Sequence, residues 1–186
     1  MLDKVYFFDK LDDVDIKYYN LMYSLLPDNR KRKVDNCYYE IDKKIKILEY
    51  FLIKNELNLE KNDDFSYTKN GKPYIKNKMF FNISHSQNAL TIAFSDKNIG
   101  IDVQKMIQFD KKLLSHIASK KEYNIVVNST NPNLEITKLW TKKESLIKYK
   151  AITIATNLKT LLKNEKLYQF QFFIKDEYVI CLCKKR

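Results

Sequence analysis

Residues 80–104 read FFNISHSQNALTIAFSDKNIGIDVQ, and the fold turns on how this stretch is parsed. Its composition suggests a polar turn at NISHS, a short apolar strand, a tight turn and a second strand. In the second strand Ile99, Ile101 and Val103 alternate with Gly100, Asp102 and Gln104. Side chains of a strand leave on opposite faces at period two, so the aliphatic set is predicted to enter the core. Asp102 and Gln104 then share the other face, about 7 Å apart along the strand, with Gly100 leaving that face bare beside them. Two readings fit this strip: a seat for a ligand, or a half-buried edge hairpin with its polar residues outward.

The rare residues bear on the choice. The chain has two glycines, Gly71 and Gly100, one tryptophan, Trp140, and two histidines, His85 and His116. Arginine occurs only at 30, 32 and 186, so lysine supplies nearly all of the 34 basic residues. AT-rich coding produces such a bias and replaces Gly and Arg wherever the fold permits. Glycines that remain are predicted where the backbone needs a positive φ or a close approach. They flank NISHS, in the tripeptides GKP (71–73) and GID (100–102).

With 186 residues, 45% of them hydrophobic, the chain suffices for one compact domain or two small halves sharing a core. No window reaches about 18 consecutive apolar residues, and the start, MLDKVYFFDK, lacks signal-peptide architecture. Cys37, Cys181 and Cys183 are too few and too oddly spaced for a disulfide framework or a zinc site. The chain reads as a soluble cytoplasmic protein with reduced thiols and no membrane association. Its formal charge of +11 implies an acidic partner, such as a polyphosphate or an acidic protein. No motif with a defined nucleic-acid docking geometry is present.

In chain order, a strand is predicted at 5–8, then a helix from Asp12 or Asp13 whose inward stripe is Val14, Tyr18, Leu21, Met22 and Leu25, ended by Pro27. The basic run DNRKRK (28–33) opens a short helix, and a longer one spans 40–57 with Ile41, Ile45, Leu48 and Leu52 inward. The basic clusters read as solvated faces, but Arg30 and Arg32 offer planar forks suited to phosphate. Pro73 stiffens the chain beside Lys72. The turn at 95–98 joins the halves closely. Asp110 to Ile117 reads as helical, and Ser119 to Glu122 matches a capping box, which makes Glu122 structural. Asn131-Pro132-Asn133 opens a helix carrying LWTKKESLIKYKA (139–151). The tail, 167–174 and 178–183, reads as a hairpin turning at Asp176-Glu177.

On the helix after Pro132, Trp140, Glu144 and Lys148 recur at i, i+4 and i+8 and share one face. This is either an aromatic anchor with a Glu-to-Lys surface pair, or an anion site bridged by a metal, with Lys142, Lys143 and Lys148 clustered round one carboxylate.

FFNISHS, GIDVQ, SKKEY and WTKKESLIK, in this order and spacing, resemble the signature blocks of the 4'-phosphopantetheinyl transferases, specifically the larger surfactin-type single-chain group. GKP and PDNRKRK match further blocks, so the resemblance spans residues 27–150. It implies an α+β fold of two similar halves, 1–97 and 98–186, related by a pseudo-twofold with coenzyme A in the cleft between them. It implies Mg²⁺-dependent transfer of phosphopantetheine from coenzyme A to a serine of an apo acyl or peptidyl carrier protein. The protein would act as a monomer, on an acidic carrier. Carried over by motif, Asp102, Gln104 and Glu144 take the metal positions, with Gln104 standing where Glu is frequent. Glu144 and Lys148 take the catalytic positions. Arg32, Lys44, Lys72, Pro73, Ser84, His85 and Lys148 take those that contact coenzyme A. YKAIT (149–153) replaces a loop that often contains glycine. The alternative is a basic binding module for RNA or acidic proteins, derived from a transferase that has lost turnover.

Overall fold

The computed structural model describes residues 3–60, 63–153 and 155–186. Helices are segregated from antiparallel strands, so the fold class is α+β. β1 (Lys4–Phe8) is followed by a 3-10 turn at Leu11–Asp13, α1 (Ile16–Ser24), α2 (Asp28–Asp35) and α3 (Glu40–Leu57). The short strands β2 (Phe65–Tyr67) and β3 (Pro73–Ile75) pair with each other, and the hairpin β4 (Phe80–Ser86) and β5 (Ala89–Ser95) completes a sheet ordered β1-β5-β4. The rest of the chain repeats this plan. β6 (Gly100–Lys105) leads into α4 (Lys111–Ile117), α5 (Lys120–Val127) and α6 (Pro132–Lys150). The hairpin β7 (Tyr168–Lys175) and β8 (Tyr178–Lys185) then closes a sheet ordered β6-β8-β7. In both sheets the first strand pairs with the last.

Alternation along the strands divides the core into layers. Leu90, Ile92 and Phe94 of β5 pack against Ile45, Ile53 and Leu57 of α3. Ala89 and Ala93 face the other way and join Ile99, Ile101, Val103, Ile180 and Leu182 between the sheets. Behind β8, Cys183 packs with Leu146 and Ile147 of α6. The predicted inward set Ile99, Ile101 and Val103 is buried as read.

The sheets meet at β6, whose outer edge is paired with no strand among the described residues. Side chains of β4 complete that edge instead. The Ile101 N–H donates to Asn82 Oδ1 (2.7 Å), the Val103 N–H to Ser84 Oγ (3.2 Å) and the Lys105 N–H to Ser86 Oγ (3.3 Å). A buried strand edge needs such partners because each unpaired N–H is costly.

Four expectations change. NISHS is not a turn but part of β4, since Phe81 and Ile83 enter one core while Asn82, Ser84 and Ser86 face β6. β5 and β6 are not a hairpin: β6 pairs with β8, and 95–98 carries the chain between sheets. Of the stripe predicted inward along α1, only Met22 packs inward. Val14, Tyr18, Leu21 and Leu25 are exposed, while Tyr19 and Leu26 are buried with Met22 and Tyr23 packed beside them. The face of Gly100 is not a bare seat either, because a Cβ there would lie 2.1 Å from Ser145 O, on the backbone of α6. The close approach inferred for Gly100 is real, and helix backbone fills it. Gly71 has φ +82, the positive φ inferred for it.

The spans predicted for α3, the hairpin β7–β8 and the capping box agree with the structure, the last with both Ser119 and Glu122 bonds formed. No helix among the described residues is long and apolar enough to cross a membrane.

Candidate functional site

Asp102 and Ser84 meet where β4 completes the edge of β6. Ser84 Oγ donates to Asp102 Oδ1 (2.8 Å), and Lys148 Nζ donates to both Ser84 Oγ and Asp102 Oδ1 at 2.7 Å. Strand alternation puts Asp102 on the α6 side of β6, and Lys148 reaches it from the last turn of that helix. The close packing of α6 on Gly100 sets their separation. Asp102 is buried, and its second oxygen, Oδ2, has no hydrogen-bond partner among the described residues. An orphaned buried carboxylate oxygen is costly unless a cation or donor arrives.

Glu144, one turn before Lys148, lines the same cleft. Burial pushes its pKa up and the charge of Asp102 adds to this, while Lys148 opposes it. Two close carboxylates that resist joint ionisation form a seat for positive charge. The cleft holds about 640 Å³. Arg30, Lys33, Lys46, His85, Trp140 and Gln104 line the same cleft. His85 is exposed to water. Desolvation lowers its pKa, and Lys46 and Lys148 push it the same way.

The structure thus brings together Pro73, Ser84, His85, Asp102, Gln104, Glu144 and Lys148. It does not bring in the other expected contacts. Arg32 is exposed outside the cleft lining. Lys44 lies over the Tyr19 ring, 5.2 Å from its centroid. Lys72 donates to Asn98 Oδ1 and Ile99 O, both at 2.7 Å, and so ties β3 to the segment before β6 with its side chain partly buried. That burial lowers its pKa to about 8. The cluster of lysines expected round Glu144 also disperses. Lys142 pairs with Glu165 (2.5 Å), Lys143 is buried on Glu122 (2.9 Å), and Lys148 alone faces the cleft.

Sequence reasoning marked Arg30 beside Arg32 but carried only Arg32 into the site, and it missed Lys46 and Glu49. Arg30 is buried 3.6 Å from Glu49 with its guanidinium 4.2 Å from the Phe65 ring centroid, and Lys46 pairs with Glu49 at 2.9 Å. Two signals were available. Val34, the lone apolar residue of α2, stands four after Arg30, so the face that buries one buries the other. Glu49 interrupts the inward row Ile45, Glu49, Ile53 on α3, and a carboxylate in an apolar row needs buried partners.

The residues suit Mg²⁺. The donors are oxygens, one is buried without a partner, and the two carboxylates repel each other. Among the described residues no cluster of three or more His, Cys, Asp or Glu forms a ready-made cage. Mg²⁺ ordinarily takes one or two carboxylates together with water and substrate phosphates.

Comparison with known proteins points the same way. Residues 98–183 match the 4'-phosphopantetheinyl transferase superfamily. The 4'-phosphopantetheinyl transferase gsp of Aneurinibacillus migulanus is 35% identical over 92 residues, covering 47% of this chain and 38% of that protein. The 4'-phosphopantetheinyl transferase Sfp of Bacillus subtilis is 29% identical over 134 residues, covering 67% and 60%. An L-aminoadipate-semialdehyde dehydrogenase-phosphopantetheinyl transferase of Candida glabrata is 30% identical over 129 residues, covering 62% and 49%. This chain is therefore similar to the 4'-phosphopantetheinyl transferases of the surfactin-type group, as its motifs indicate. The matched segments span 38–60% of the lengths of these relatives.

Proposed function

We propose that this chain moves the 4'-phosphopantetheine arm of coenzyme A onto a serine of an apo acyl or peptidyl carrier protein. The products are the holo-carrier and 3',5'-adenosine bisphosphate. The observation that carries the reading is Asp102, with one oxygen held by Ser84 and Lys148 and the other orphaned in a cleft that a second, half-buried carboxylate, Glu144, also lines. Arg30, Lys33, Lys46 and His85 line the same cleft.

In the reaction, the carrier serine oxygen forms a bond to the phosphorus that bears the pantetheine arm. The pyrophosphate P–O bond to the adenosine bisphosphate breaks. Glu144, which lines the cleft, takes the serine proton. Lys148 stands by Ser84 and Asp102 to neutralise charge on the leaving oxygens. Arg30, Lys33, Lys46 and His85, which line the cleft, hold phosphate. Mg²⁺, held by Asp102 and Glu144 with Gln104 as a neutral donor, would supply charge neutralisation at the pyrophosphate.

In this reading the common strand order of the two sheets reflects a pseudo-twofold relating residues 1–97 to 98–186, with the cleft at their junction. The protein works as a monomer in the cytoplasm, and its positive charge suits an acidic carrier. A basic module for RNA or acidic proteins has no use for a buried, half-unpartnered carboxylate with a second carboxylate in the same groove.

Calorimetric titration with coenzyme A tests the site. Mg²⁺ is expected to strengthen binding to the native protein and to have no effect on Asp102→Ala. The volume-conserving Asp102→Asn, with a native melting profile, controls for folding. Equal Mg²⁺ enhancement in native protein and both variants would remove Asp102 from the site.

A further inference from the structure

A second concave site lies on the C-terminal half, on the side of α6 turned away from Trp140, Glu144 and Lys148. It holds about 550 Å³. Val126 of α5, Leu139 of α6, Leu162 and Phe172 of β7 give it an apolar floor. Val126, Leu139 and Leu162 are themselves buried, so the floor is continuous with the core of this half. The rim is cationic.

Three glutamates line the groove, and each has a lysine partner: Glu122 with Lys143, Glu135 with Lys138, and Glu165 with Lys142. Lys121, Lys159, Lys163 and Lys166 also line it, and among the described residues none of these four has an ion-pair partner. The negative charge of the groove is neutralised internally, whereas four positive charges are left over around an apolar floor.

We infer that this groove binds an amphiphilic anion, a carboxylate or phosphate head on an apolar chain. The chain lies over Val126, Leu139, Leu162 and Phe172, and the head meets the ammonium groups of Lys159 and Lys163. Size, floor and rim each exclude something. The volume falls within the roughly 300–1,000 Å³ of small-molecule sites. The floor gives no hold to a bare inorganic anion. The unpaired lysines disfavour a neutral or cationic amphiphile.

The inference does not rest on the transferase reading, since no groove residue belongs to the cleft. The test is calorimetry on the full chain with saturating coenzyme A present, using decanoate and decyl phosphate below their micelle concentrations. Decanol, acetate and inorganic phosphate serve as comparison probes. Saturable binding of one equivalent is expected for decanoate, decyl phosphate or both, and the stronger arm tells which head the site prefers. Lys159→Glu/Lys163→Glu, two exposed positions, is expected to weaken that binding at least tenfold. Lys17→Glu/Lys76→Glu, with the same net charge but outside the groove, is expected to leave it within twofold. Several results would overturn the site: no saturable binding of either amphiphile, equal loss in both double variants, decanol binding as tightly as decanoate, or displacement by coenzyme A.

Discussion

Glu144 is the residue whose titration reports most directly on the site. Burial and the neighbouring Asp102 raise its pKa in the folded protein, whereas the unfolded chain has the ordinary value of about 4.3. The folded state therefore holds this proton more tightly than the unfolded state. Stability is expected to fall as pH rises through the window between the two values, and above it the full cost of ionisation is present. Glu144→Gln keeps the volume and removes the charge. In metal-free buffer at pH 7 it should melt higher than the native protein, by about 2–4 °C per kcal/mol relieved, and the gap should close below about pH 4. The same variant should have no turnover at any pH. A lower melting temperature at pH 7, or a gap independent of pH, would mean that Glu144 is not held against Asp102. Strand and helix periods put Asp102 beside Gln104 and Glu144 beside Lys148, whereas Ser84 and His85 were reached only through the family resemblance, their segment reading as a turn where the structure has a strand. Arg32 was preferred over Arg30 because, on a helix of eight residues with one apolar side chain, the phase is fixed by what packs on it.

Between elements, the separation of β6 from α6 decides whether Asp102 and Glu144 can act together. A Cβ at Gly100 would lie 2.1 Å from Ser145 O, 2.5 Å from Tyr149 N and 2.9 Å from Tyr149 Cα, all backbone atoms that cannot swing aside. Gly100→Ala must push α6 outward. Overpacking of this kind costs about 1–3 kcal/mol, sometimes more. Activity is expected to fall further than the stability loss alone accounts for, since Glu144 and Lys148 move with the helix. Native activity in a folded Gly100→Ala protein, measured well below its melting temperature, would show that this packing does not set the site. At the other end of α6, Ala151 closes the helix with φ 49, a left-handed conformation that glycine adopts freely. Ala151→Gly is therefore expected to stabilise the protein by about 1 kcal/mol, read from denaturant midpoints. A destabilised variant would contradict the reading of that cap. The sequence pattern located α3 and α6 well, because each has one apolar row and clear end signals. It failed on most of α1, where two apolar rows interleave: Val14, Tyr18, Leu21 and Leu25 are exposed, Tyr19, Tyr23 and Leu26 turn inward, and of the predicted stripe Met22 alone joins them. Periodicity alone cannot choose between them. Packing of α1 against α3 buries the second row.

For the molecule as a whole, the site exists because two sheets of the same strand order meet edge to side chain. Ser84 comes from the first, Asp102 from the second, and Lys148 binds both. Most helical and strand segments were visible in the sequence. The pairing of β6 with β8 was not, since it joins residues nearly eighty apart that no local pattern connects. The same junction gives the central claim its most direct test. The full chain is incubated with coenzyme A and Mg²⁺ and, in turn, with apo-carrier proteins of fatty-acid, polyketide and peptide synthesis, and each carrier's intact mass is read. At least one carrier is expected to gain the mass of a single phosphopantetheine, with equimolar 3',5'-adenosine bisphosphate released and no gain when Mg²⁺ is chelated. If every carrier stays unmodified while the protein is folded and binds coenzyme A, the cleft is a binding site without turnover and the transferase account is contradicted.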